Sequence, residues 1–347
     1  MTPAETRDLS AAIAAARRPL RWPAMPPADL RVRIETSTAL RHLLPTRLAI
    51  RRAAAKGRAA WEEPEERRRA IAAMTAIVGA TARAGEVDGL ARRRLVDERV
   101  QRALFWQPWR TVSVDGASSE NLRRALSSDR RLLLSACHLG PYFLNMSALA
   151  SRGRSPIVVA APWLFEKPTP DYWGRRLARW QRGLGKRGER IARSTGGFPV
   201  AKALLEQGEI VLMYFDMPGS RRTPFLGKPV MLASGSAELA FQTEALILPL
   251  RARRAGGRVW TDVSEPLDAR DFAGARELHG ALTEVHERSI LELPETLEDP
   301  NRAGAWENGA TEREWARPQA GAGEPSSPEP AASAGGQRRA QPVTGAG

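Results

Sequence analysis

Two apolar runs in the chain end on side chains that can move protons or hold charge. The first, Leu132-Leu-Leu-Ser-Ala-Cys, delivers His138, and Leu139, Gly140 and Pro141 follow. Gly140 permits a tight turn, and Pro141 suits the first position of a following helix. That order stands an imidazole at the mouth of a sheet, beside a helix N-terminus that stabilises negative charge. A neutral histidine there could take the proton of a hydroxyl. The same features also describe a structural histidine that ends a strand, and alone they favour that plainer reading.

The second run, Ile210 to Phe215, ends on Asp216, and a loop carrying Gly219, Arg221 and Arg222 leads on to Lys228. A guanidinium fork matches the oxygens of a phosphate. Taken alone, the loop reads equally well as a solvated turn.

The elements that must position these residues follow from periodicity. Short apolar runs at Leu132 to Ala136, Ile157 to Ala161, Ile210 to Phe215, Ala245 to Leu250 and Val259 to Val263 read as strands. Helical patterns fill the gaps at Tyr142 to Ala150, Asp171 to Leu184, Pro199 to Gln207, Ser236 to Thr243 and Arg276 to Leu293. Such alternation predicts an α/β fold with a mixed or mostly parallel sheet and helices on both faces. Active sites in such sheets lie outside the carboxyl ends of the strands, where His138 and Asp216 fall. Before this region, Glu62 to Ala84 and Asp88 to Phe105 form two amphipathic, Arg-rich helices, an N-terminal helical segment. The expected organisation is a poorly ordered lead-in over 1–36 with a short helix near Ala11 to Arg17, the helical segment over 37–110, the α/β domain over 111–300, and a disordered Pro/Gly/Ser/Ala tail over 317–347.

Composition narrows the class of partner. The formal charge is +14, carried mostly by arginine, which suits an anionic membrane surface, an acidic protein or a phosphate-bearing substrate. No helix-turn-helix, zinc-finger or aromatic RNA-binding pattern occurs, so nucleic acid comes last among partners. A single cysteine, Cys137, excludes an internal disulfide framework and fits a reducing compartment. No apolar run is long enough to span a bilayer and no signal peptide is evident, so a soluble or peripheral protein is expected.

In their order, these segments resemble the lysophospholipid acyltransferase superfamily, in particular the branch of bacterial lipid A biosynthesis acyltransferases. The resemblance runs from about Leu48 to about Leu293. It takes in the strand ending in His138, the Ser194-Thr-Gly196-Gly197 turn, Asp216, the Pro224-Phe225-Leu226-Gly227-Lys228-Pro229 hairpin and Ala245-Leu-Ile-Leu-Pro249. It implies transfer of a fatty acyl chain from an acyl carrier protein or coenzyme A thioester to a (glyco)lipid or other hydroxyl acceptor. No resident cofactor or metal is expected, and the protein would sit on the inner, cytoplasmic face of the cell membrane. The family pairs its histidine with an Asp or Glu after four intervening residues; here Phe143 stands at that place, and no acid occurs between His138 and Arg152. Asp216 is the best substitute, since it leaves the same sheet edge, and Asn145 is a weaker one. A second departure puts Ala161 where the family has an anion-binding arginine before a proline; Arg193, Arg221, Arg222 and Lys228 are the expected replacements. The alternative is a catalytically impaired relative that binds acyl chains or lipids.

Outside these motifs, His279 and His286 share a helical face, but seven residues is poor spacing for joint metal ligation, and exposed positions are expected for both. His42 is unremarkable. Trp163, Trp173 and Trp180 cluster after the second strand, either in the core, along an acyl-chain pocket or at the lipid interface.

Overall fold

A computed structural model describes residues 3–18, 27–35, 37, 45–104, 112–150, 152–160, 175, 178, 190–193, 197–255, 258–300 and 302–308. Its helices are Pro3–Arg17 (α1), Leu30–Glu35 (α2), Thr46–Ala59 (α3), Pro64–Val78 (α4), Val87–Leu104 (α5), Gly116–Ser127 (α6), Asn145–Ala150 (α7), Gly197–Glu206 (α8), Gly235–Thr243 (α9), Ala275–Glu292 (α10) and Arg302–Asn308 (α11).

Burial decides the centre of the sheet. Leu132–Ala136 (β1) is apolar except at Ser135, and all of it is buried. A strand apolar on both faces belongs inside a parallel sheet with helices on either side. β1 lies between Val211–Tyr214 (β4) and Leu246–Ala255 (β7), parallel to both. Beyond β4, Ile157–Ala160 (β2) and Arg190–Arg193 (β3) continue in parallel. Arg258–Val263 (β8) and Leu267–Asp268 (β9) pair antiparallel with β7 on its other edge. The order is β3-β2-β4-β1-β7-β8, the mixed, mostly parallel α/β sheet that the alternation of elements implies.

Period-two alternation divides the core. Leu133, Val211 and Ile247 pack with Met74, Leu90 and Leu282 of α4, α5 and α10, whereas Leu134, Leu212 and Leu248 pack with Leu122 and Leu149 of α6 and α7. Fully burying one such leucine stabilises by about 1.5–3 kcal/mol, against which the entropy of ordering the chain is set.

Register fixes where the chemistry emerges. Ala136 is paired with Tyr214, and the Phe215 amide donates to the Ala136 carbonyl at 2.7 Å. Two residues beyond each member of that pair stand His138 and Asp216. The turn after β1 is held closed by Gly140. Its φ is +60°, and a Cβ there would lie 2.5 Å from the Ala252 carbonyl oxygen. Glycine alone meets both demands.

Several expectations are corrected. Within the stretch expected to be poorly ordered, α1 is a full helix; Ala16 is buried against the main core and Arg17 pairs with Glu209 at 3.1 Å. The Glu62 to Ala84 helix is shorter, Pro64–Val78, because Gly79 and a 3₁₀ turn at Ala84–Glu86 end it. His279 and His286 are buried rather than exposed, because α10 sits inside the layer between the sheet and the hairpin formed by Pro218–Phe225 (β5) and Lys228–Leu232 (β6). α11 packs beyond the expected domain edge at 300. The Asp171 to Leu184 helix apart from Arg175 and Ala178, the three tryptophans, His42, Ala161, Ser194 to Gly196 and the 317–347 tail lie outside the described residues. Among the described residues, no helix is long and apolar enough to cross a membrane.

Candidate active site

The two strand ends converge on a His–Asp pair. His138 Nδ1 is 2.8 Å from Asp216 Oδ1, and the His138 backbone N–H donates to Asp216 Oδ2 at 3.1 Å. Asp216 is wholly buried, yet its carboxyl is held well below the usual carboxylate range. Burial pushes it upward, but the nearby His138 and Arg302 charges and the two hydrogen bonds from His138 outweigh that push. An ionised carboxylate only accepts hydrogen bonds, so Nδ1 must carry the proton. Nε2 is then the free ring nitrogen, and it makes no hydrogen bond among the described residues.

Aromatic rings frame the imidazole. It stacks on Tyr214 with centroids 4.0 Å apart and meets the edge of Tyr142 at 4.7 Å. The Tyr142 hydroxyl donates to Glu298 Oε1 at 2.7 Å. Burial and then the Glu298 charge hold that phenol well above its usual range. The His138 side chain remains 12% exposed, so it is at a rim rather than sealed in the core.

A second tier of contacts comes from the chain after α10. Leu139 bridges Leu297, the Gly140 amide donates to the Thr296 carbonyl at 2.9 Å, and the Glu298 amide donates to the His138 carbonyl at 2.9 Å. Buried Arg94 of α5 in turn donates to the Glu295 and Glu298 carbonyls at 3.2 and 3.1 Å. From α11, Arg302 Nη1 reaches Asp216 Oδ2 at 2.7 Å, and Trp306 Nε1 donates to the Asp216 carbonyl at 3.0 Å. Sequence reasoning missed Arg302, Trp306, Glu298 and Tyr142. The faint signal was the apolar pair Ala303 and Trp306 at helical spacing, beyond the last segment that the resemblance covers.

Of the expected site residues whose side chains are described, the structure brings together His138 and Asp216. Asn145 is buried but accepts from Thr261 at 3.3 Å rather than meeting His138. Phe143 is buried in the core layer beside α6 and α7. Arg221 is paired with Glu238 at 2.5 Å and Lys228 with Glu307 at 2.6 Å, while Arg222 is exposed on the hairpin. No ion pair or hydrogen bond links these three to His138 or Asp216 among the described residues. Arg193 ends β3 beside Ala160, and its side chain lies outside the description. A cavity of about 620 Å³ opens beside the turn, lined by Gly140, Pro141, Trp61, Arg92, Ala252 and Arg253 among others. It reaches the turn that carries His138 but is not lined by His138 itself. Among the described residues no group of three or more His, Cys, Asp or Glu side chains could hold a metal.

Fold and site together define an α/β protein with a buried-carboxylate His–Asp pair at the carboxyl edge of a mostly parallel sheet. One solved structure that the chain matches is the 1-acyl-sn-glycerophosphate (LPA) acyltransferase PlsC from Thermotoga maritima, at 20% identity and a TM-score of 0.34, over 58% of this chain and 81% of that one. No family model matches the chain. No curated protein matches it either.

Proposed function

We propose that the chain is an acyltransferase in which His138 is the general base and Asp216 its carboxylate partner. The observation that carries this reading is the 2.8 Å contact between His138 Nδ1 and a buried, ionised Asp216 at the sheet rim. It supplies what the Phe143 position lacks in the motif that the sequence resembles. In the proposed step Nε2 takes the proton of an acceptor hydroxyl, and the oxygen attacks the carbonyl carbon of a thioester. The tetrahedral oxyanion collapses with cleavage of the C–S bond, and the imidazolium returns the proton to the departing thiolate. The products are an ester and a free thiol. Asp216 stabilises the transient imidazolium, as carboxylates do in other His–acid pairs.

The donor we propose is an acyl carrier protein or coenzyme A thioester, and the acceptor a lipid hydroxyl, as in the lipid A-type branch. A peripheral position on the inner face of the cell membrane is supported by α3. That helix carries Arg47, Arg51, Arg52, Lys56 and Arg58 with no acid, and Leu48 on it is 44% exposed. Basic helices with exposed apolar residues bind anionic lipid.

The test incubates the purified protein with labelled acyl-coenzyme A or acyl carrier protein thioester and a lipid extract, beside His138→Ala. Acylated lipid formed by the wild type and lost in the variant supports the reading. Binding of thioester or lipid without turnover would replace it with the impaired, lipid-binding relative.

A further inference from the structure

We infer that Arg302 is a positioning residue that locks His138 in its basic tautomer by keeping Asp216 ionised. The inference rests on the acyl-transfer reading for its kinetic consequence and on geometry alone for its spectroscopic one. A carboxyl as deeply buried as Asp216 prefers to be neutral unless a charge compensates it. A charged His138 also lowers the Asp216 carboxyl, but a general base acts as the neutral imidazole and in that form lends no charge. Asp216 in the base-ready site therefore needs a second source of positive charge.

Arg302 is placed to be that source. Its guanidinium is buried, lies 2.7 Å from Asp216 Oδ2, and is pushed down by burial but held above its ordinary value by the Asp216 and Glu298 charges. Its second amine reaches Glu298 Oε2 at 3.3 Å, and the same carboxylate accepts the Tyr142 hydroxyl at 2.7 Å. A continuous chain of contacts thus runs from α11 through Asp216 to His138 Nδ1, and through Glu298 to Tyr142, whose ring meets His138 at 4.7 Å. Trp306, one turn further along α11, fixes the Asp216 backbone through its carbonyl.

The consequence is chemical as well as structural. If Asp216 took up a proton, the acid would donate to Nδ1. The ring proton would then move to Nε2, and the nitrogen facing the acceptor would have no lone pair to offer. Arg302 prevents this through its contact with Asp216 Oδ2. It lies on a short helix outside the segment that the family resemblance covers, so the acid from β4 and its cation from α11 form one unit.

The experiment uses the full-length chain as wild type, Arg302→Gln and Arg302→Lys. Nitrogen-15 NMR of the histidine rings reads the His138 tautomer, and the pH dependence of acyl transfer reads the base. The wild type should show the Nδ1–H tautomer at pH 7.5. Arg302→Gln should populate Nε2–H, lose at least tenfold in kcat with KM little changed, and move its acidic limb up by a pH unit or more. Arg302→Lys should restore part of both. An Nε2–H tautomer in the wild type would overturn the inference even if Arg302→Gln does not fold. So would a folded Arg302→Gln with the wild-type tautomer and an unmoved pH profile. A tautomer change in a protein without acyl transfer would uphold the inference and remove the enzymatic reading instead.

Discussion

Replacing Asp216 with asparagine takes one charge out of a site where three donors converge on it. The carboxylate accepts from His138 Nδ1 at 2.8 Å, from the His138 amide at 3.1 Å and from Arg302 at 2.7 Å. An amide of the same shape offers one accepting oxygen and one donating nitrogen. With the oxygen turned to Arg302, the nitrogen faces Nδ1 and drives the ring proton to Nε2, which disables the base. The corresponding change in a serine-protease triad lowers turnover about 10⁴-fold through the wrong tautomer, or about 5.5 kcal/mol of barrier. Stability changes as well, because Arg302 stays buried without its closest carboxylate, 2.7 Å away in Asp216, and Glu298 stands further off at 3.3 Å. Stranding one partner of a buried pair costs about 3–5 kcal/mol. Removing Arg302 as well, in Asp216→Asn/Arg302→Met, should recover about 2 kcal/mol or more of that loss. The assay is acyl-transfer rate at matched folded fraction together with urea unfolding of the four proteins in the cycle. A single variant within tenfold of the wild-type rate, or unfolding energies that simply add, would refute the argument.

Phe143→Glu, which restores the acid of the resembled motif by sequence position, should bring no gain in rate and cost about 3–5 kcal/mol, since the side chain lies in an apolar core layer and Asp216 already meets His138; a gain in activity contradicts this. Gly140→Ala forces a residue with a side chain to φ +60° against the Ala252 carbonyl, so about 1–3 kcal/mol of stability should go in thermal unfolding, together with most of the activity. His286 and His279 are pushed down to about 4, His286 by burial and His279 by burial and then the Arg221 charge. The unfolded chain therefore takes up their protons first, near pH 6.5, while the folded form refuses them until about 4. Stability should be full above pH 6.5 and fall between there and pH 4 by up to about 3 kcal/mol per histidine. A urea midpoint flat across that window, or a histidine NMR titration near 6.5 for either ring, contradicts the burial argument.

The sheet was legible because its strands obey simple rules. Leu132 to Ala136 is too apolar and too short for anything but an inner strand, and its ends were read to the residue. The pairing of His138 with Asp216 was also within reach, since two inner strands that end in polar residues at the same sheet edge can bring them together. The register Ala136 to Tyr214 then decides that they meet. Arg302 could not be read in this way. A contact across 86 positions, from a seven-residue helix in a polar region, leaves no local period to detect. His279 and His286 were misjudged for the opposite reason. Histidine on an Arg- and Glu-rich helix suggests solvent, whereas their partners Thr223 and Ser135 come from distant elements and satisfy Nε2 of each ring at 3.1 and 2.8 Å. Arg221 and Lys228 drew attention as anion-binding replacements, and tertiary structure pairs them with Glu238 and Glu307.

The chemistry depends on whether the imidazole beyond β1, backed by the carboxylate beyond β4, moves a proton during acyl transfer. The most direct measurement is the initial rate of ester formation from a labelled thioester and a lipid alcohol by wild type, His138→Gln and Asp216→Asn, each verified as folded. A fall of about 10³-fold or more in both variants is the expected result. A variant of either residue that keeps the wild-type rate contradicts the account.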